Sequence, residues 1–451
     1  MAKKKENTIK QGLSKEERYL LFLLRNSLIN NLGMREEVRE EIAKEIEEIA
    51  KEIEEVTEEV QREVTGEVAE KVLEKDLTSE EWKNLVLIAK KHSVLSLLYD
   101  ELSSNKEISV ELFQYVKNIS IQTVLQNYKL LYLTNYVVKN LAPAGIVVVV
   151  LKGPSTAAFY PVPELRKSGD IDLLIAKNDD FELACKILTK IGFTPVEKNH
   201  ANHHVAFQAN EGIMIELHTM LAEPFDSQKI NEYLRNLALD YNENIREKDL
   251  IGSTLPVAED GYHAFYLLLH MIQHYLRSGF GLKLLCDWVV FWNRDIFEKD
   301  VDKFLDMVKN CGLEGFAERI TALCIKYLGL KEQNVLYLIN QFTNYKKLTD
   351  EELEIFLIDI IEAEEFGRSS NDRMVMLRGT SILDYAREFH HQMRLNLPQI
   401  SKVKILWPIL WVYTLVIFLY NNKKIRKVSF FEVLKRAASR SKNKEAMHLF
   451  K

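Results

Sequence analysis

Apolar positions along this chain of 451 residues recur mostly at the spacing of α-helices, and change to the spacing of β-strands in one central stretch. The helical spacing covers residues 13–32 and 78–141. Alternating apolar positions then predict short strands from Ile146, interrupted by a helix over residues 181–191. Helical spacing returns after Pro224 and continues almost to the end of the chain. The pattern therefore predicts an α+β fold, mostly α, with a small mixed β-sheet core flanked by N-terminal and C-terminal helical regions.

The chain is long enough for two or three domains at roughly 150 residues each. The changes of period predict an N-terminal helical region over residues 1–115, a core over residues 116–222 and a C-terminal helical region over residues 223–451. An acidic arm at about residues 34–76 is inserted into the first of these regions.

The acidic arm contains a short repeat. Glu-Glu-Ile-Ala-Lys-Glu-Ile stands at residues 40–46 and again at residues 47–53, and a looser copy follows at residues 54–60. Apolar residues four and three positions apart form one narrow stripe, which predicts a long amphipathic helix. Three interpretations stay open: a solvated helical arm, a coiled coil through residues 38–72 that joins copies of the chain into a homo-oligomer, and a disordered segment.

Composition and charge narrow the class of protein. Hydrophobic residues make up 47% of the chain, which is ample for a large buried core, and the four cysteines show no metal-ligand spacing. The first residues lack the apolar segment of a secretory signal, so we expect a reduced, cytoplasmic protein. The net charge of −6 hides a balance of −10 over residues 34–76 and of +8 over residues 421–451. The core has no dense basic stripe with interleaved aromatic residues, so broad nucleic-acid binding is not expected.

Residues 405–420 form an almost entirely apolar run near the C-terminus. The run is shorter than the roughly 20 residues that span a bilayer, and four basic residues follow it between Lys423 and Lys427. One interpretation is a buried helix with a basic cap. The other is a peripheral membrane contact through residues 405–451, which would bind anionic lipid at the inner face of the membrane.

Two aspartates at the start of a predicted strand are the main candidates for chemistry. Asp170 and Asp172 are separated by Ile171, so both carboxylates point to the same face of the strand. Neighbouring carboxylates repel each other and raise each other's pKa unless a cation lies between them. A divalent cation such as Mg²⁺, carrying the phosphates of a nucleotide, is the usual solution.

Further candidates surround the aspartates in the sequence. Glu216, on the predicted strand that ends at His218, is the candidate third carboxylate, and the three acids together would hold two magnesium ions. Lys152 and Gly153 form a turn that could approach phosphate, followed by Ser155 near the start of a helix. Arg166 precedes the aspartates and could reach phosphate oxygens. His218 is expected on the same side of its strand as Glu216.

These residues resemble a known family. The pattern is similar to that of the bacterial uncharacterised nucleotidyltransferases, within the DNA-polymerase-β-like nucleotidyltransferase superfamily. It is carried by Leu151-Lys-Gly, Tyr160-Pro, Arg166, Gly169-Asp-Ile-Asp-Leu-Leu and Glu216-Leu-His218, with flanking likeness at Trp82, His92, His270, His274, Lys283, Asp287 and Trp288. The resemblance extends from about Leu13 to Tyr420, without the acidic arm.

The resemblance implies an enzyme that moves a nucleoside monophosphate from an NTP to an acceptor hydroxyl or phosphate. It implies Mg²⁺ or Mn²⁺ on Asp170, Asp172 and Glu216, and a small molecule, peptide or sugar as acceptor. Two departures, Pro154 after Gly153 and the longer Glu216 as third acid, favour an alternative: a catalytically weak nucleotide-binding regulatory protein. A membrane-associated component of a surface-polymer or modified-peptide pathway is a further alternative.

Three residues of the C-terminal region are also candidates for nucleotide binding. His270 and His274 are four residues apart and share one helix face. They could line the nucleotide or acceptor cleft, make a hydrogen-bonded packing contact or, by their spacing, bind zinc. Lys283 could meet a phosphate, with Asp287 as its structural partner.

Overall fold

The computed structural model describes residues 12–29, 77–196, 204–209, 212–225, 227–277, 279–363 and 400–421, together with a few residues between 386 and 397. The acidic repeat and the basic tail after residue 421 lie outside the described residues, so the three interpretations of the repeat and the coiled coil through residues 38–72 remain predictions.

Helices form the N-terminal part of the chain. The second helix begins with a capping box, in which Thr78 and Glu81 each satisfy the backbone N–H of the other residue. The long fourth helix begins at the N-cap Ser109 and leads directly to the sheet. The helices are α1 (Lys15–Ile29), α2 (Ser79–Lys91), α3 (Tyr99–Ser104) and α4 (Val110–Leu141).

A five-stranded mixed sheet follows, in the order β1-β2-β5-β4-β3. The β2 and β5 strands are parallel, and the other neighbours are antiparallel. A separate hairpin, β6-β7, lies beyond the sheet. The elements are β1 (Val149–Val150), α5 (Pro154–Ala157), β2 (Asp170–Leu174), α6 (Asn178–Lys190), β3 (Thr194–Pro195), β4 (His204–Gln208), β5 (Met214–His218), α7 (Gln228–Glu243), β6 (Ile245–Leu250) and β7 (Ser253–Ala258).

The first strand is shorter than the predicted run from Ile146 to Val150. Only Val149 and Val150 pair with β2. The carbonyl of Val147 instead accepts a hydrogen bond from the side chain of Asn242. This backbone acceptor therefore has a partner outside the sheet.

Helices return after the hairpin and complete an α+β fold that is mostly helical, as predicted. They are α8 (Asp260–Arg277), α9 (Leu282–Trp292), α10 (Glu298–Asn310), α11 (Glu314–Leu328), α12 (Leu336–Gln341), α13 (Asp350–Ile361) and α14 (Trp407–Asn421). Among the described residues, no helix combines the length and the apolar character needed to cross a membrane.

Two apolar cores hold the elements in place. One lies among the helices, where α9 is buried on nearly every side and contributes Trp288 and Trp292. The other packs the sheet against α4 and α6 through side chains such as Ile171, Leu173 and Phe207. Because Ile171 is buried on the core face of β2, its neighbours Asp170 and Asp172 project from the opposite face.

The N-terminus of α8 carries a buried polar contact. Asp260 accepts hydrogen bonds from the guanidinium groups of both Arg246 and Arg294. Although burial opposes the charge, these two arginines hold the pKa of Asp260 below its usual range. Nearby, the ring of His263 lies 5.0 Å from the ring of Phe159 and 5.5 Å from that of Phe291.

Replacing His263 with phenylalanine should make the stability of the protein less dependent on pH. Burial lowers the pKa of His263 to about 3, whereas histidine in an unfolded chain titrates near 6.5. Between these values the unfolded chain binds a proton that folded His263 excludes, so stability falls as the pH is lowered, by up to about 1.4 kcal/mol per pH unit.

The free energy of unfolding in urea, measured at pH 7 and pH 5, checks this expectation. The difference between the two pH values should shrink in the His263→Phe variant. Part of it should remain, because burial also lowers the pKa of His270 and His274. The variant Phe291→Leu, which alters the same packing but keeps the histidine, should retain the full difference. An unchanged difference in His263→Phe would refute the assignment.

Candidate functional site

The three predicted carboxylates converge on one face of the sheet. Asp172 lies directly opposite Glu216 across the parallel pair of β2 and β5, and Asp170 lies one step earlier on the same face. Asp172 is 1% exposed, whereas the side chains of Glu216 and Asp170 are 29% and 39% exposed. The arrangement thus has one deep carboxylate and two nearer to solvent.

A histidine joins the carboxylates from β5. His218 Nε2 lies 3.0 Å from Asp172 Oδ1 and 3.4 Å from Glu216 Oε2. Burial lowers the pKa of His218, but hydrogen bonds to Asp172 and Glu216 outweigh burial and raise it to about 9. The same contact with His218 lowers the pKa of Glu216. At neutral pH, His218 is therefore a cation between two anions.

A lysine provides a second cation. Lys152 Nζ lies 3.5 Å from Asp170 Oδ2 and 3.3 Å from Asp172 Oδ2. Burial opposes its charge, but the carboxylates of Asp172 and Asp170 raise the pKa of Lys152. Lys152 thus lies beside both aspartates, and its contact with a phosphate remains a prediction.

The donor set fits a divalent cation. Asp172, Glu216 and His218 each offer a ligand atom, and these atoms all lie within 4.8 Å of one another. The two carboxylates can bind a cation directly, whereas His218 would first have to lose its proton. Asp172 Oδ2 is buried and accepts no hydrogen bond from the described residues. Lys152 Nζ, 3.3 Å away, supplies by charge alone the neutralisation that a metal ion would otherwise bring. Carboxylate oxygens suit Mg²⁺ and Mn²⁺, and imidazole also suits transition metals.

The turn after β1 depends on a glycine. Gly153 has φ of +69° and ψ of −114°, a combination that residues with a side chain rarely adopt. A Cβ at this position would lie 3.2 Å from the backbone oxygen of Asp170. The absence of a side chain at residue 153 therefore lets the turn pack against the start of the strand that carries the carboxylates.

The helix after the turn offers less to a phosphate than predicted. The α5 helix is a single turn, Pro154–Ala157, and proline has no backbone N–H. Ser155 and Thr156 are buried, and their hydroxyl oxygens have no hydrogen-bond partner among the described residues. Ser155 is thus placed beside the turn but away from solvent.

Gly153→Ala should destabilise the fold and weaken the metal site. Positive φ costs a residue with a side chain roughly 1–2 kcal/mol, and the new Cβ would press on the backbone of Asp170. We expect Mn²⁺ affinity, measured by calorimetry, to fall by roughly tenfold, as for other changes that displace ligands indirectly.

Gly145→Ala is the matched control. Gly145 has φ of +71° but nothing within 4 Å of the position of a Cβ. With ψ of +13°, Gly145 is in the left-handed helical region, where a side chain costs roughly 1–2 kcal/mol, so the control should lose less stability than Gly153→Ala and keep its Mn²⁺ affinity. Equal Mn²⁺ affinities for the two variants would contradict the role given to Gly153.

Arg166 was predicted to reach phosphate, and the structure places it in a buried ion pair instead. Its Nε and Nη2 atoms donate to Asp287 Oδ1 and Oδ2 at 2.7 and 2.8 Å. Tyr160 donates to the same carboxylate at 2.7 Å, and Arg166 Nη1 donates to Ser168 Oγ at 2.9 Å. Both carboxylate oxygens of Asp287 are thus engaged by Arg166.

One face of α8 lies near the carboxylates. Tyr266, His270 and His274 follow each other at four-residue spacing, and the rings of the two histidines are 4.5 Å apart. Burial raises the pKa of Tyr266, and the nearby Asp172 adds to this effect. Burial and the positive charges of Lys152 and Lys283 lower the pKa of His274 to about 4. The structure therefore brings His270, His274, Lys283 and Lys152 into one electrostatic neighbourhood.

The two histidines do not form a zinc site with other described residues. Their Nε2 atoms lie 3.0 Å apart in a mutual hydrogen bond, and no cluster of three potential ligands in the described part of the chain includes them. Tyr266 was missed from the sequence, although its position four residues before His270 would have placed it on the same helix face.

Comparison with known proteins agrees with this arrangement. Residues 78–329, more than half of the chain, match the family model described as uncharacterised nucleotidyltransferase. The chain belongs to this family. The match contains every candidate residue of the site, but neither α1 nor α14, to which the predicted resemblance extended.

A solved structure shows a weak similarity to this member of the uncharacterised nucleotidyltransferases. An antigenic nucleotidyltransferase-like protein from Paracoccidioides brasiliensis is 14% identical, with a TM-score of 0.30, over 45% of this chain and 93% of that chain. Among curated proteins, none matches the sequence.

Proposed function

We propose that this protein transfers a nucleoside monophosphate from an NTP to an acceptor hydroxyl or phosphate oxygen and releases pyrophosphate. The observation that carries the proposal is the convergence of Asp170, Asp172 and Glu216 on one face of adjacent parallel strands, in a chain that belongs to a nucleotidyltransferase family. The same residues support membership of the DNA-polymerase-β-like superfamily.

A divalent cation, Mg²⁺ or Mn²⁺, would be held by Asp172 and Glu216, with Asp170 at the open side of the site. When bound, such a cation neutralises charge on the phosphate oxygens and lowers the pKa of an attacking hydroxyl. Asp172 is the deep ligand because its side chain is almost fully buried.

The exposure of each side chain indicates its role in the transfer of the nucleoside monophosphate. The acceptor oxygen attacks the α-phosphorus, a new P–O bond forms, and the bond to the bridging oxygen of pyrophosphate breaks. The acceptor proton would pass to a carboxylate at the open side of the site, where the side chains of Asp170 and Glu216 are 39% and 29% exposed. Lys152 carries a full positive charge beside the aspartates and is placed to turn from them to a phosphate.

The face of α8 that carries Tyr266, His270 and His274 would line the part of the site that binds the acceptor. Tyr266, His270 and His274 are uncharged at neutral pH, because burial raises the pKa of the tyrosine and lowers that of both histidines. Neutral rings and a hydroxyl suit an uncharged acceptor group, such as the hydroxyl of a small molecule, sugar or peptide side chain.

Transfer of label from α-³²P-labelled ATP, GTP, CTP or UTP tests the proposal. The protein is incubated with each nucleotide, Mg²⁺ or Mn²⁺, and fractionated cell extract as the source of acceptor. Label should appear in an acceptor with at least one nucleotide, together with pyrophosphate, and both should disappear on addition of EDTA. Absence of transfer with every nucleotide and metal would refute the proposal.

The regulatory alternative, a nucleotide-binding protein without turnover, is favoured by one observation. Lys152 and His218 already neutralise the carboxylates, so the site is electrostatically satisfied without a metal. Calorimetry separates the two: nucleotide binding in the presence of Mg²⁺, without label transfer to any fraction, would support the regulatory protein over the enzyme.

A further inference from the structure

The C-terminal helix α14 exposes an apolar surface. Ile409 is 67% exposed, Val412 63% and Val416 58%. Further exposed apolar side chains on the same helix or immediately before it are Ile405, Trp411, Tyr413, Leu415 and Ile417. Isolated exposed apolar residues are ordinary on protein surfaces, but a continuous group of this kind marks a binding surface.

The exposed side chains surround the helix and do not form one stripe. Leu410 and Thr414 are buried, and because they are four residues apart they lie on one line along the helix. The remaining positions from Ile409 to Ile417 point away from that line. A second protein copy would cover one side of such a helix, whereas a lipid bilayer surrounds it.

Length and polar ends fit one leaflet of a bilayer. The fifteen residues of α14 extend about 22 Å at 1.5 Å per residue, close to half of the roughly 40–45 Å bilayer thickness that includes the headgroups. The indole N–H groups of Trp407 and Trp411 are already paired, with the Ser401 carbonyl and with His390 Nδ1. The tryptophan rings can therefore enter a lipid interface without leaving a donor unsatisfied.

The sequence after the helix supplies the charge for lipid headgroups. Lys423, Lys424, Arg426 and Lys427 follow α14 directly, and residues 421–451 contain ten basic and two acidic residues. An apolar helix followed by a basic cluster matches a membrane surface that carries negative charge.

We propose that α14 inserts into one leaflet of a bilayer containing anionic phospholipid, to which the basic sequence after the helix is complementary in charge. This inference is independent of the proposed nucleotidyl transfer.

Vesicle flotation with the full chain tests the proposal. The protein should float with vesicles of phosphatidylcholine mixed with phosphatidylglycerol, and much less with phosphatidylcholine alone. High salt should weaken the binding, and the tryptophan emission should shift to shorter wavelength on binding. Failure to float with anionic vesicles overturns the proposal.

Two sets of substitutions separate the apolar and electrostatic contributions. Replacing Ile409, Val412 and Val416 together with glutamate should abolish flotation. Replacing Lys423, Lys424, Arg426 and Lys427 with glutamine should weaken it by about fivefold per residue. Phe297→Glu, at an exposed apolar residue far along the chain (72% exposed), is the matched control and should float like the unmodified protein.

Light scattering tests the alternative that a second copy of the chain covers α14. If α14 is covered by a second copy of the chain, the protein without vesicles should be a dimer that the triple glutamate variant converts to a monomer, and flotation should be absent. That combination would overturn the membrane assignment. Circular dichroism of every variant confirms that the fold is retained, so a loss of flotation reports on the surface itself.

Discussion

Asp172→Asn should abolish nucleotidyl transfer, with a loss of about a thousandfold or more in rate, as when a group that stabilises the transition state is removed. Asp172 is the buried carboxylate of the set and contacts Lys152, His218 and, across the strands, Glu216. Asparagine keeps the shape of the side chain but removes the negative charge that a divalent cation requires. The rate of label transfer from the preferred NTP gives the primary measurement.

A second measurement keeps this prediction independent of activity. Mn²⁺ binding, followed by calorimetry, should be lost in Asp172→Asn and retained in Asp179→Asn, which removes an exposed carboxylate from the first turn of α6. If the Asp172→Asn variant binds Mn²⁺ and turns over normally, the metal site must lie elsewhere.

Asp287→Asn should destabilise the protein by about 3–5 kcal/mol, because it removes one partner of a buried ion pair and leaves the other charge unpaired. Arg166 and Asp287 are 4% and 1% exposed. Their two hydrogen bonds join the segment before β2 to α9, so the change should also loosen the support of Asp170 and Asp172. Unfolding in guanidinium chloride measures the loss.

Two further variants sharpen this test. Replacing the pair together, with Arg166→Met and Asp287→Leu, should recover most of the stability, since no charge is then left buried. Lys83→Ala breaks the exposed pair of Lys83 with Glu80, where the two side chains are 63% and 77% exposed, and should have no measurable effect. A small loss in Asp287→Asn, comparable to that of Lys83→Ala, would show that the pair does not support the fold.

The sequence predicted those features that depend on local periodicity. The change from helical to alternating spacing placed the sheet in the middle of the chain, and alternation along β2 put Asp170 and Asp172 on one face. The fold class is confirmed. The opposition of Asp172 and Glu216 across parallel strands could not be derived in the same way, because strand pairing depends on contacts far apart in the sequence.

Long-range pairing also explains the difference at Arg166. Its position just before the aspartates favoured a phosphate contact, yet its partner Asp287 lies 121 residues away. A guanidinium binds a carboxylate and a phosphate with the same geometry, so the residue type alone cannot distinguish the two. Similarly, the apolar character of residues 405–420 is evident in the sequence, but only the structure shows how little of α14 the described residues cover.

The pairing of Lys152 with Asp170 and Asp172, and of His218 with Asp172 and Glu216, has a consequence for biosynthesis. Many small metal-binding domains are unfolded without their ion, because metal binding supplies the free energy of folding, so that folding must wait for the ion. Here Lys152 and His218 act as the counter-ions of the carboxylates. The polypeptide can therefore fold as soon as it is synthesised, before any metal ion binds. Under the proposed function, metal and nucleotide can then bind together in each round, and a shortage of metal would stop the reaction without unfolding the protein.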